Sequence, residues 1–201
     1  MTTIDALRKA LTGTPGWPWL EEALAEAAKS PESAVRPFSS AGRKAGRSEL
    51  PDAPGWTADE AARALLLAAL PPGRVAEDVT AFYRYGDADE KRAVLKALPL
   101  LPIGAQAVPL LLDAIRSNDA RLLAAALGPY ARHLDPPAWR QAVLKCVFMG
   151  VPLEAVHGLD ERADAELAEM LAAFAEERAA AGRPMPADAA ALLSRLTSEE
   201  T

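Results

Sequence analysis

Arg84-Tyr85-Gly86-Asp87-Ala88 and Arg116-Ser117-Asn118-Asp119-Ala120, spaced 32 residues apart (84 to 116), share one plan. Each has a cation closing an apolar-striped segment, a tight turn, and an Asp placed to cap a new helix, because its carboxylate can accept from the free N–H groups of a first helical turn. The apolar flanks stay in register: Val79 with Leu111, Tyr83 with Ile115, Leu95 with Leu127. Two helix–turn–helix units at this spacing predict an all-α chain of antiparallel helix pairs, either a HEAT-like α-solenoid or an irregular helical bundle whose hairpins share Asp caps.

Composition points the same way. Of the 201 residues, 50% are hydrophobic but only 5% aromatic, so the apolar mass is Ala and Leu, both strong helix formers. Runs of β-branched residues, from which a sheet would be built, are nearly absent. The charged fraction of 25% lies in the globular range, and the length suits one domain over 1–201. A net charge of −6 opposes a basic stripe, so no nucleic-acid partner is expected. The lone Cys146 excludes an internal disulfide and a Cys-rich zinc site; His133 and His157 lack ligand spacing, and neither a metal nor another cofactor is expected. With no apolar leader and no membrane-length apolar run, the expected compartment is the cytoplasm.

Along the chain, a helix over Ile4–Leu11 ends at Thr12-Gly13-Thr14-Pro15-Gly16, and a second covers about Trp17 to Lys29. Residues 30–56 are rich in Ser, Gly and Pro and carry Arg36, Arg43, Lys44 and Arg47, which reads as a long irregular basic loop, able to close over an anionic ligand or simply solvated. Thr57-Ala58-Asp59-Glu60 is a capping box opening the third helix. The next helix carries a Val75, Val79, Phe82, Tyr83 face, with Gly86 as its C-cap. Asp87 with Glu90 opens a helix burying Val94, Leu95 and Leu98. Val108, Leu111, Leu112 and Ile115 form another stripe, Asp119 opens a short helix, and Pro136-Pro137 begins one running to Met149. Asp160 is expected to cap a long helix stopped by Gly182 and Pro184, before a last short helix and a polar tail at 198–201.

No phosphate-cradling Gly loop, Gly-x-Ser-x-Gly or His-Glu-x-x-His occurs, which favours a non-enzymatic role. Among possible site residues, Lys145 stands in the apolar run Ala142-Val143-Leu144-Lys145-Cys146-Val147-Phe148-Met149. A desolvated lysine there could act as a nucleophile or anion ligand; the plain alternatives are an outer-face or snorkelling lysine. Arg84 and Arg116, beside Asp87, Asp113 and Asp119, read either as an anion-binding ridge or as cations complementing helix C-termini. Tyr83, Tyr130, Trp139 and Phe174 read as core, and the histidines as caps.

The string from Tyr83-Arg84-Tyr85-Gly86-Asp87 through Glu90-Lys91 to Leu98 resembles the EboA family. So do Asp113-Ala114-Ile115-Arg116-Ser117-Asn118, Pro129-Tyr130-Ala131-Arg132, Trp139 with Val143-Leu144-Lys145, Gly158-Leu159-Asp160-Glu161-Arg162, and, more loosely, Phe38-Ser39 with Arg43. The resemblance covers about 38–183. The chain departs from the family pattern at Gly128 and Asp164, where Asn is usual, and at Leu122-Leu123-Ala124. The resemblance implies an accessory role in a bacterial gene set for secondary-metabolite production or export, and implies no catalytic residues. Two readings follow. One is a helical adaptor or metabolite-binding protein whose candidate contacts are Arg43, Arg84, Asp87, Asp113, Arg116, Tyr130, Trp139, Lys145, Asp160 and Arg162, its partner another protein of the pathway or a small metabolite. The other is an enzyme acting on an anionic intermediate through Lys145 and nearby Arg and Asp residues.

Overall fold

The computed structural model describes residues 2–198. Among them are twelve α-helices, three short 3₁₀ turns and no strand, so the all-α expectation holds. The helices are α1 (Ile4–Leu11), α2 (Trp17–Ala27), α3 (Pro31–Lys44), α4 (Ala58–Ala68), α5 (Val75–Tyr85), α6 (Ala88–Ala97), α7 (Val108–Arg116), α8 (Ala120–Ala126), α9 (Pro136–Met149), α10 (Leu159–Arg162), α11 (Ala165–Ala180) and α12 (Ala187–Ser198). The chain groups into two compact units, Met1–Leu110 and Leu111–Thr201. Both echo turns are helix–turn–helix corners with Asp N-caps: Asp87 accepts from the Glu90 amide at 2.8 Å, and Asp119 from the Arg121 amide at 2.9 Å.

In the first unit the organising element is α4. Ala58 to Leu67 are all buried, Asp59, Glu60 and Arg63 included, and α1, α2, α3 and α6 pack around it. A helix surrounded on all sides must be apolar all round or pair its charges internally. Its Ala positions let the neighbouring helices approach, while Leu65, Leu66 and Leu67 fill the remaining core with Leu7, Leu20 and Leu24. In the second unit α9 packs against α8 and α11, and α11 against α12.

The structure corrects the sequence reading in several places. Most of the expected 30–56 loop is helix: α3 runs from Pro31 to Lys44. Ser30 caps it, accepting from the Ser33 amide at 3.2 Å, and Pro31 occupies the first helical position, where a missing N–H costs nothing. Pro37 removes one helical hydrogen bond, but Ala34, Phe38 and Ala41 bury a common face, and that burial outweighs the loss. Only the part beyond Lys44 is irregular, folded back through an isolated antiparallel bridge between Glu49 and Thr57.

Gly86 is the C-cap of α5, as expected, and takes an extended conformation (φ −76°). Space is what requires glycine there: a Cβ would lie 2.8 Å from the Phe82 carbonyl oxygen and 2.9 Å from Glu90 Cβ. Asp160 does not cap the long helix. It lies within the one-turn α10, Ala163 is extended, and Asp164 caps α11 by accepting from the Leu167 amide at 3.0 Å. On α7 the buried residues are Leu110, Leu111 and Ala114, while Leu112 and Ile115 are half-buried. Ser198 closes α12; residues 199–201 of the expected tail lie outside the described residues.

Candidate functional site

Three of the residues singled out in sequence come together in the second unit. Arg162 donates to the Ala131 carbonyl at 2.7 Å and the Leu134 carbonyl at 2.9 Å, and its guanidinium lies 4.6 Å from the centre of the buried Trp139 ring. Burial lowers the pKa of Arg162, and Asp135 partly offsets this. Tyr130, in the 3₁₀ turn Pro129–His133, is buried with its ring 4.8 Å from that of His133. Arg162 thus ties α10 to that turn through backbone acceptors, using the planar fork of donors that lysine lacks. The Trp139 Nε1 and His133 Nε2 atoms are buried without a hydrogen-bond partner.

Lys145 donates to the Ile115 carbonyl at 2.6 Å and the Ser117 carbonyl at 2.7 Å. Its ammonium therefore closes the C-terminal end of α7, where carbonyls lack helical partners and the helix dipole is negative. Asp113 and Arg116 form an exposed pair on the same helix at 3.7 Å. Asp160 pairs with Arg195 of α12 at 2.6 Å. Cys146, buried one residue beyond Lys145, has its thiol pushed up to about 12 by burial, which leaves no thiolate at neutral pH.

In the first unit, Arg43 and Arg84 are exposed in the last turns of α3 and α5, and Asp87 is occupied as the cap of α6. Asp59 and Glu60, read from sequence only as part of a capping box, are joined there by Arg63, Arg92 and Lys96. Arg63 is 2% exposed; it donates to Asp59 Oδ2 at 2.6 Å and to the Phe38 carbonyl at 3.1 Å. The Thr57 hydroxyl supplies the other Asp59 oxygen at 2.7 Å. Glu60 accepts from the Thr57 amide at 3.1 Å and is flanked by Arg92 at 3.0 Å and by Lys96. Lys96 also donates to the Gly55 carbonyl at 2.6 Å and rests 4.6 Å from the centre of the Trp56 ring. Burial lowers the pKa of Lys96, against the opposing pull of Glu60.

This network fixes one wall of a groove. With its carbonyl held by Arg63, Phe38 meets Phe82 of α5 ring to ring at 4.8 Å. Between α3 and α5 lies a groove of about 280 Å³, lined by Val35, Phe38, Ser39, Ala81, Phe82, Tyr85 and Gly86, with Glu32, Asp78 and Glu90 supplying its polar groups. Tyr85, 84% exposed, and Val35 are large apolar side chains left open to solvent at its mouth. The lining holds three carboxylates and no cation. The volume is near the lower end of small-molecule sites, roughly 300–1,000 Å³, and too small for an α-helix about 10 Å across.

Of the sequence-stated candidates none lines this groove, yet Tyr85, Gly86 and Glu90 belong to the string that carries the resemblance to EboA, and Phe38-Ser39 to its looser part. The sequence profile of the family described as metabolite traffic protein EboA matches residues 51–193. The chain belongs to the EboA family. The family match covers α4 to most of α12, including the Tyr85-Gly86 and Glu90 side of the groove, while α3 lies before it. No curated protein and no solved structure shows a match. Among the described residues, no helix is long and apolar enough to cross a membrane, and no group of His, Cys, Asp and Glu could hold a metal ion. Val35, Phe38 and Ser39 are not among the candidate contacts read from sequence, because a loop over 30–56 presents no helical face. The Ser30-Pro31 start and the Ala34, Phe38, Ala41 spacing were the signals that could have revealed them.

Proposed function

We propose that this EboA-family protein is a non-enzymatic accessory of bacterial secondary-metabolite production or export, and that it holds a small metabolite in the groove between α3 and α5. The groove carries the reading. It combines apolar walls with a few convergent polar groups, as small-molecule sites do. The family's description as a metabolite traffic protein agrees with it. The enzymatic alternative finds less support: the ammonium of Lys145 faces two backbone carbonyls, and Asp113 and Arg116 pair with each other in solvent.

The test uses the full-length protein purified from cells that make the metabolite. It is denatured, and the released small molecules are compared by mass spectrometry between wild type and Ser39→Trp. Ser39 is an exposed residue on the groove side of α3, so an indole there fills the groove with little strain on the core. The expected result is a small molecule released from the wild type and absent from the variant. Retention of nothing, or equal retention by both, overturns the proposal.

A further inference from the structure

Two glutamates of this chain have the same local job in different company. Glu60 and Glu90 each occupy the third position of their helix, α4 and α6, and each reaches back to the amide of the capping residue: Thr57 for Glu60, Asp87 at 2.9 Å for Glu90. Both residues are buried, Glu60 at 4% exposure and Glu90 at 8%. Both gain from the positive end of a helix dipole to a similar degree. Glu60 in addition has two cations, Arg92 and Lys96. Glu90 has none among the described residues: its Oε2 takes the Asp87 amide, and nothing there donates to Oε1. A buried carboxylate without a counter-charge is costly, and the chain shows at Glu60 how it answers that cost elsewhere.

Glu90 lines the groove between α3 and α5. Glu32 and Asp78 add negative charge to the same lining, which holds no cation of its own, although Arg74 beside it offsets part of the charge of Glu32 and Asp78; the Phe82 and Tyr85 side chains present aromatic surface beside it. An aromatic face attracts a cation through its quadrupole, and a carboxylate accepts from an ammonium N–H with a charge-assisted bond. We infer that the groove takes a small organic cation, an apolar or aromatic body seated against Val35, Phe82 and Tyr85 with a protonated amine donating to Glu90. This ligand class rests on the groove being the metabolite site, and it replaces the anionic ligand suggested by the arginines in the sequence.

The experiment titrates the full-length protein with three probes of matched shape: phenethylammonium, phenethyl alcohol and 3-phenylpropionate. Binding is read by calorimetry and by ligand-observed NMR on wild type, Glu90→Gln, Tyr85→Ala and Ser39→Trp. Gln at this helical position can still reach the Asp87 amide, and a thermal melt checks that Glu90→Gln stays folded. Phenethylammonium should bind about tenfold more tightly than the alcohol, the equivalent of one favourable charge pair, with 3-phenylpropionate weakest. Glu90→Gln should bring the ammonium-to-alcohol ratio close to one, Tyr85→Ala should weaken the ammonium, and Ser39→Trp should abolish binding of both. If the alcohol or the carboxylate binds as well as the ammonium and Ser39→Trp abolishes that binding, the cationic class is wrong and the groove site stands. A ratio that survives Glu90→Gln also overturns it. If no probe binds, or binding ignores Ser39→Trp, the groove reading falls with it.

Discussion

Arg63→Met tests how the first unit carries buried charge. The substitution keeps most of the aliphatic volume and removes the guanidinium. The Asp59 carboxylate then stays buried with the Thr57 hydroxyl and without its bonded cation, and the Phe38 carbonyl loses its side-chain donor. Removing one partner of a buried pair costs about 3–5 kcal/mol, because the remaining charge is uncompensated. For a chain of this size that lowers the melting midpoint by roughly 6–20 °C. The double variant Asp59→Leu/Arg63→Met should recover most of the loss, since apolar groups can replace a buried pair at little net cost. Urea unfolding followed by circular dichroism, extrapolated to water, measures all three proteins. The reasoning is refuted if Arg63→Met lies within about 1 kcal/mol of wild type, or if the double variant is no more stable than the single one. Because Arg63 also holds Phe38 against the groove, the single variant should weaken groove ligands even at temperatures where it remains folded.

Gly86→Ala should destabilise by about 1–3 kcal/mol, as overpacked sites do, because the new methyl meets the Phe82 carbonyl oxygen at 2.8 Å and neither it nor Glu90 Cβ can move freely; chemical denaturation with no measurable shift in midpoint would contradict this. Asp164 separates capping from ion pairing: Asn caps about as well, so Asp164→Asn should cost about 0.5–1 kcal/mol for the half-exposed pair with Arg140, and Asp164→Ala about 1 kcal/mol more for the lost cap. Arg140, donating to it at 2.7–3.0 Å, holds the Asp164 carboxyl below its ordinary range. Its contribution is therefore present above the unfolded carboxyl pKa and lost as pH falls through the lower folded value, and the stability gap between wild type and Asp164→Asn should close on acidification. Lys145→Met should cost about 1–3 kcal/mol through the Ile115 and Ser117 carbonyls and leave metabolite retention intact; loss of retention by a fully folded variant would revive the enzymatic reading.

The sequence by itself determined what depends on neighbours three or four residues apart. Helix starts with a reach-back Glu, at Thr57 and Asp87, were legible because donor and acceptor lie within one turn. The spans of α1 and α9 followed from apolar spacing bounded by Gly and Pro. The family was legible from the string around Tyr85-Gly86-Asp87, and the profile match over residues 51–193 bears it out. Where two local signals competed, local reading was not enough: Asp160 and Asp164 both look like caps, and only the latter is, with Arg140 bonded to it from α9.

Tertiary structure alone decided α3, the use of Arg63 and the groove. Pro37 and Gly42 argue against a helix locally, and the opposing term is burial of Ala34, Phe38 and Ala41, whose helical spacing the sequence displays but whose burial it does not weigh. Whether a charged residue is a solvated surface group or a buried anchor depends on what packs over it. Arg63, one charge among the many on this chain, becomes 2% exposed because α4 lies at the centre of its unit. The same holds for the opening echo. Its two turns read alike, but Glu90 beside the first lies in a groove without a cation, while Arg116 beside the second pairs with Asp113 in solvent. That difference is set by long-range packing, the one contribution to the free energy that a spacing pattern does not carry.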